Sequence, residues 1–282
     1  MTAVPLPLPD VQGRARPGAW LGAFIRRDWK IARSYRLQFM LDVCAVPLTL
    51  GMFYFLSRLI DGGRLPSDAD LSQGYFAFAA VGLAVLRMAQ TALNSFSSRL
   101  RTEQTTGTFE TLLSSPVSPS VVALGSAAFD LLRATVGGSV TVLVAMLFGL
   151  RLQVGAGMLL SVVVGLPALI ATFAAVGVVV AAFAVVFKQV TALLGMVTAV
   201  LALLAGVYFP VGILPGPLET LANLLPFTWG IDVLRAGLLR GELAAGRLAL
   251  LVGFAVVALP LALALFGRAV DFARRRGTLT QF

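Results

Sequence analysis

The chemistry open to this chain is limited first by the residue types it lacks. Its 282 residues include no histidine, one cysteine and two lysines. Without histidine there is no His-based zinc site, no histidine general base and no Ser-His-Asp triad. Cys44 lies in an apolar run. A lone cysteine forms neither an intrachain disulfide nor a thiolate cluster, and its expected role is a buried structural thiol. Lys30 follows Trp29 and Lys188 follows Phe187, whereas a phosphate-binding loop needs Gly before its Lys. Neither a GxGxxG nor a GxSxG pattern occurs. Nucleotide chemistry is therefore expected on another polypeptide, and no metal site is expected on this one.

Four charged residues fall inside apolar stretches: Asp42, Arg87, Asp130 and Arg133. Ionisable groups at bilayer depth mark ion and proton pathways, so an ion-gradient-driven transporter is one reading. Each also has a plainer account. Asp42 lies near the start of its stretch and can sit at the interface. Asp130 and Arg133 are three apart and can neutralise one another, and Arg87 can snorkel. No inverted repeat is evident. Intramembrane aspartate proteolysis would need Asp42 and Asp130 to meet mid-membrane, which their near-edge positions disfavour.

The elements that hold these charges follow from composition. Hydrophobic residues make up 58% and charged residues 12%, against roughly 45–50% and about 25% in soluble chains. The mean hydropathy is +0.91. Such a chain cannot cover a water-facing surface, and the expected class is an all-α integral membrane protein. A crossing helix needs roughly 20 apolar residues. Six stretches qualify: 39–58, 75–96, 121–148, 157–186, 190–209 and 248–267. The third and fourth are overlong and can tilt, or bend near Pro167. Small residues four apart, such as Ala171 with Ala175 and Gly177 with Ala181, allow close helix packing.

Residues 1–18, with Pro5, Pro7, Pro9 and Pro17, lack the basic start and unbroken apolar stretch of a signal peptide. They are expected to form a disordered, retained cytoplasmic tail. From Ala19 to Gln38, Trp20, Leu21, Phe24, Ile25, Ile31, Ala32 and Tyr35 share one helical arc, with Arg26, Arg27, Lys30 and Arg33 opposite. That pattern suits an interfacial helix, with a solvated basic helix as the alternative. A single six-span transmembrane domain then covers 19–268, followed by a basic cytoplasmic tail, 269–282.

Charge sets the direction. One side collects Arg14, Arg16, Arg26, Arg27, Lys30, Arg33, Arg36, Arg99, Arg101, Lys188, Arg268, Arg274, Arg275 and Arg276 against five acids. The other balances six basic residues with six acids. By the positive-inside rule both termini are cytoplasmic. The formal net charge of +9 then reads as topology and attraction to anionic lipids, not as a nucleic-acid surface.

Two loops carry functional signal. In the cytoplasmic loop RLRTEQTTGTFETLLSSPVSPS, Gly107 breaks the chain and Thr108–Ser114 can make two helical turns. Phe109, Leu112 and Leu113 then share a face beside Glu110, and Pro116 ends the helix. Ser118–Pro119 suits the start of the next helix. Such a ridge suits a partner's groove, or a turn packed on headgroups. In the outer loop, Pro210, Pro215, Pro217 and Pro226 punctuate two short apolar helices, about 217–225 and 228–240. Leu218, Leu221 and Leu225 share a face of the first, and Thr228 is the expected cap of the second. Neither is long enough to span, so they are re-entrant or surface-lying. Asp232 and Arg235 can pair on one face.

In both loops the sequence resembles type-2 ABC exporter permeases, especially the drug-resistance branch. The resemblance rests on Gly107-Thr108-Phe109-Glu110-Thr111-Leu112-Leu113 with Pro116. It rests equally on Tyr208-Phe209-Pro210, Leu214-Pro215 and Leu225-Pro226 followed by Ile231-Asp232-x-x-Arg235. It implies a bacterial cell-membrane exporter in which two permease chains, expected to be a homodimer, work with two copies of an ABC ATPase. ATP and magnesium would bind that partner. The 103–115 segment would be the coupling helix, and 211–240 a re-entrant pair closing the outer gate. Some polysaccharide-exporting relatives in the resembled family line the path with aromatics, whereas here aromatics are only 9% and are not concentrated in the spans, so the resemblance implies a hydrophobic drug or lipid as cargo.

Overall fold

Long apolar stretches can satisfy their backbone groups internally only as helices or closed barrels. The computed structural model describes residues 36–60, 73–105, 119–187 and 191–276, and among them it holds helices and no strand. The N-terminal tail, the basic segment through Tyr35, the ridge at 106–118, Lys188 and the chain after 276 lie outside the described residues.

In chain order the helices are α1 (Arg36–Leu59), α2 (Tyr75–Thr105), α3 (Pro119–Leu147), α4, α5 (Thr191–Leu204), α6 (Gly216–Leu224), α7 and α8 (Ala245–Arg276). Helix α4 joins Ala156–Leu160, a π turn at Ser161–Gly165, and Leu166–Phe187. Helix α7 is Pro226–Arg235 continued by a π turn, Ala236–Arg240. Each of the six expected stretches overlaps a helix, the 190–209 stretch over part of its length. Among the described residues, four windows are long and apolar enough to cross a membrane: Tyr75–Ser95, Ala128–Leu147, Ala156–Phe183 and Ala245–Phe272. The described apolar parts of α1 and α5, Cys44–Leu59 and Leu194–Leu204, are shorter.

The boundaries have local causes. Pro119 opens α3, where its missing N–H costs no hydrogen bond. Near Pro167, where a bend is one way to accommodate the overlong span, the helix widens into a π turn just before the proline. Proline cannot bond to the carbonyl four residues back and its ring crowds that carbonyl, so the preceding turn widens, with Leu166 N–H donating to Ser161 O. The expected 190–209 span is corrected: α5 stops at Leu204, because Gly206 adopts φ +72° and Pro210 cannot continue the helix. At the other end of the broken segment, Gly241 (φ +70°) closes α7. The Gly241 and Glu242 N–H groups return to Gly237 O and Ala236 O, at 3.1 Å each. That is a left-handed glycine cap with the single five-to-one bond of the αL motif, joined by a wider bond that the π turn makes possible.

Helix α2 is the axis of the bundle: 83% of its apolar window is buried, against 22% for α3 and 17% for α8. The two outer helices turn long apolar faces away from the protein, as lipid contact allows. Cys44 is corrected too. It is exposed, on a part of α1 that the bundle leaves uncovered.

The seam that positions α7 is tighter than its apolar composition implies. Helix α7 packs antiparallel along α4, one pair per turn. Phe227 meets Phe173 with ring centroids 5.1 Å apart. Gly230 meets Leu169, Val233 meets Gly165, Gly237 meets Ser161, and Gly241 meets Gly157. Four of the five pairs contain a glycine, so the backbones approach where a β-carbon would overlap the partner. At three of these pairs the overlap is with a side chain, and the smallest is at Gly237, where a β-carbon would collide with Ser161 Oγ. Gly237→Ala is therefore expected to destabilise the bundle by about 1–3 kcal/mol. Adding Ser161→Gly should restore most of it, read as the thermal unfolding midpoint in detergent. Equal midpoints for the single and double variants would show that this contact does not set the spacing. The expected small pairs on α4 serve a second seam, where Ala175 and Ala181 pack with Ala262, Phe266 and Val270 of α8.

Candidate functional site

The broken pair occupies the end of the bundle where α2, α4 and α8 begin and α3 and α5 end. Its arms differ. Helix α6 starts behind Pro215 with Pro217 in its first turn and leaves Leu218, Leu221 and Leu224 exposed. Helix α7 is inserted: Phe227, Thr228, Gly230, Ile231, Val233, Leu234 and Arg235 are all buried. Pro226 supplies the first residue of α7, so the buried helix start lacks one of its orphan amides from the outset. Thr228 is not the expected cap. Leu225 holds that position without a side-chain cap bond, and the Thr228 hydroxyl is buried without a hydrogen-bond partner.

The lower end of the pair is held by side chains from two directions. The Asn223 carbonyl accepts from Trp229 Nε1 at 2.7 Å and from Arg247 Nη1 at 3.3 Å. Arg247 Nη2 also donates to Asn223 Oδ1 at 2.7 Å. These donors meet carbonyl groups that the end of α6 leaves open. Arg247 Nε in turn lies 3.3 Å from Asp232 Oδ2. Both side chains are partly exposed, so the ion pair contributes at most about 1 kcal/mol. At the upper end, Gln153 N donates to Leu238 O at 2.9 Å and Gln73 Nε2 to Leu239 O at 2.8 Å. Loops from both sides thereby cap the last carbonyls of α7.

Arg235 is the least expected feature. It is 2% exposed, the bulkiest of the fully buried side chains. Its Nη2 donates to Phe78 O at 3.0 Å and to Val207 O at 3.3 Å, and its Nε donates to Phe78 O at 3.3 Å. The guanidinium carbon stands 3.5 Å from the Phe78 ring centroid. A desolvated cation–aromatic contact of this kind contributes about 2 kcal/mol or more. A β-carbon on Gly82 would lie 2.8 Å from Arg235 Nη2 and overlap the Val207 carbonyl oxygen. Nearby, Tyr75 Oη donates to Tyr208 O at 3.0 Å, and Tyr208 stacks on Phe53 at 5.8 Å. Tyr54, Phe76 and Phe148 form an adjoining aromatic cluster. Aromatics sparse in the sequence are thus gathered at this end.

The other expected site residues distribute as follows. Pro210 is buried, Phe209, Leu214 and Pro226 are half-buried, and Pro215 is exposed. Asp232 and Arg235, which spacing suggested for one another, point into different surroundings, one to Arg247 and one to the carbonyls of Phe78 and Val207. Arg87 is half-buried on α2, and Gly137 of α3 faces its Nε. Asp130 is half-buried and Arg133 exposed on α3. Asp42 belongs to α1, among residues whose side chains are not described. Gly107, Thr108, Phe109, Glu110, Leu112, Leu113 and Pro116 lie outside the described residues. Sequence reasoning missed Gly82, Gly157, Asn223 and Arg247. Only Gly157 had a local signal, its four-residue spacing from Ser161 and Gly165.

A bundle of apolar helices, several long enough to cross a membrane, with a proline-bounded helix pair packed into one end, has the architecture of a polytopic membrane protein. The sequence agrees: the chain belongs to the ABC-2 type transporter family, whose model matches residues 21–239. The matched part ends within the π turn of α7. No curated protein matches the chain. Members of this family are transmembrane permease subunits that generally work with an ABC ATPase.

Proposed function

We propose that this chain is the permease half of an ATP-driven exporter in a bacterial cell membrane, moving a hydrophobic or amphipathic drug or lipid-like cargo outward. The carrying observation is the family match over 21–239, together with a helix pair inserted into the end of the bundle where α5 breaks. On this reading both termini are cytoplasmic and two copies of the chain form the pathway. Each copy engages one ABC ATPase through the 103–115 segment. ATP and magnesium act on the partner. ATP binding closes the ATPases and moves the coupling helices, which bias the bundle between inward-open and outward-open states. The α6–α7 pair and the broken segment from Ala205 to Pro210 form the outer gate.

The gate reading has a physical basis. Irregular backbone at membrane depth is tolerated where protein buries it or where it lines a cavity. Here Gly82, Arg235 and the aromatic cluster provide that burial. The seam of close-packed glycines makes α7 move with α4 as a unit, leaving the α5 break and exposed α6 as the deformable parts.

Co-expression with a candidate ABC ATPase and reconstitution into vesicles tests the proposal. The expected result is stable copurification and uptake of a lipophilic dye into inside-out vesicles only when ATP and Mg²⁺ are supplied. Dye movement that persists without ATP and collapses with the proton gradient would instead establish an ion-driven transporter using Arg87 or Asp130.

A further inference from the structure

We propose that Arg235 is the positioning residue of the outer gate, a buried guanidinium that fastens the unwound end of α5 to α2 and α7 and so sets the closed state. The proposal rests on the gate reading for its functional consequence, but the fastening itself is a property of this chain alone.

A cation this deep in an apolar bundle is costly unless its donors are used, and the described contacts use them on two different elements. The Phe78 carbonyl belongs to the first turn of α2, and the Val207 carbonyl lies three residues past the end of α5. One nitrogen, Nη2, serves both. The Phe78 ring lies against the guanidinium face. Arginine suits this place because its planar fork can donate to two carbonyls while stacking, whereas a lysine ammonium is a point donor on a flexible stem. The backbone is shaped for the contact. Gly206 turns left-handed immediately before Val207, and the absent side chain of Gly82 leaves the space that the Val207 carbonyl and the guanidinium fill. The two halves are unequal. The Phe78 carbonyl accepts two of these bonds, at 3.0 and 3.3 Å, and its ring is stacked, while the Val207 carbonyl accepts one, at 3.3 Å.

The test uses the full chain with Cys44→Ser and one of two reporter cysteines, both at buried positions. Val207→Cys reports the fastened segment, and Val178→Cys reports the α4–α8 core. Labelling by a hydrophilic maleimide is timed on the purified protein. In Arg235→Met, Val207→Cys is expected to react at least about tenfold faster while Val178→Cys is unchanged, the mark of local opening. Gly82→Ala, whose β-carbon would crowd both the Val207 carbonyl and Arg235 Nη2 and so disturb the contact from the α2 side, should do the same, and Arg235→Lys should fall between. With an ABC ATPase bound, Arg235→Met should retain ATP hydrolysis and lose most coupled transport. An unchanged Val207→Cys rate in both Arg235→Met and Gly82→Ala overturns the proposal. So does equal acceleration at both cysteines in every variant, which would make Arg235 a general packing residue. Because labelling needs no nucleotide or partner, failure of the exporter reading leaves this result separately readable.

Discussion

Alanine at Gly157 is expected to prevent the α4–α7 seam from closing and to cost most of the yield of monodisperse protein. A β-carbon there would lie 2.6 Å from the Gly241 carbonyl carbon and overlap both the Gly241 oxygen and the Glu242 carbonyl carbon. All three are backbone atoms at a left-handed cap, so no rotamer change relieves the contact. Overpacking costs about 1–3 kcal/mol where side chains can give way, and a clash with backbone at a fixed cap belongs at or beyond the top of that range. The cap cannot shift cheaply, because the neighbouring Leu238 and Leu239 carbonyls are tied to Gln153 and Gln73. Gly253→Ala on α8 is the matched control. Nothing lies within 4 Å of its β-carbon position, so helix propensity alone should raise stability by up to about 1 kcal/mol. Size-exclusion profiles and unfolding midpoints in detergent measure both. A Gly157→Ala protein as stable as Gly253→Ala would refute the packing described for the seam.

The second large effect concerns the segment proposed to meet the ATPase. Phe109→Ala combined with Leu113→Ala is expected to abolish the coupling of ATP hydrolysis to export while leaving the membrane domain folded. On a helix these two residues share a face with Leu112, and an apolar ridge of this size binds through a few buried anchors. Losing two anchors of about 1–2 kcal/mol each weakens association by roughly thirtyfold to several hundredfold. Glu110→Gln should have a smaller effect that diminishes with salt, as expected for a charge at the rim. Copurification of the ATPase and ATP-dependent transport in vesicles read the outcome. A double variant that still couples hydrolysis to export would remove the segment from the docking role.

Much of the fold could be read from the chain because its determinants are local. Apolar stretches free of turn residues become helices wherever they fall, and the stops are made by Gly206, Gly241, Pro210 and Pro226 through their own backbone preferences. The two short helices between α5 and α8 were visible for the same reason, within two residues at every end. Directions within the bundle were not visible. Asp232 and Arg235 are three apart, which on a helix separates them by about 60°. That angle permits a pair, and it equally permits one side chain to face α2 while the other faces α8. Which arrangement wins depends on the carbonyls of Phe78 and Val207, distant along the chain, and on Arg247 from the last helix. The small residues Gly157, Ser161 and Gly165 posed the same problem. Their spacing was plain, but spacing four apart recurs along this helix, and nothing local shows which stripe meets which neighbour. By itself the sequence determined what the chain is made of, where its helices stop and what chemistry it lacks, because these follow from backbone conformation and residue type. Only the tertiary structure decided where the buried arginine points and which glycines bear the close contacts, because both depend on atoms brought together from helices far apart in the chain.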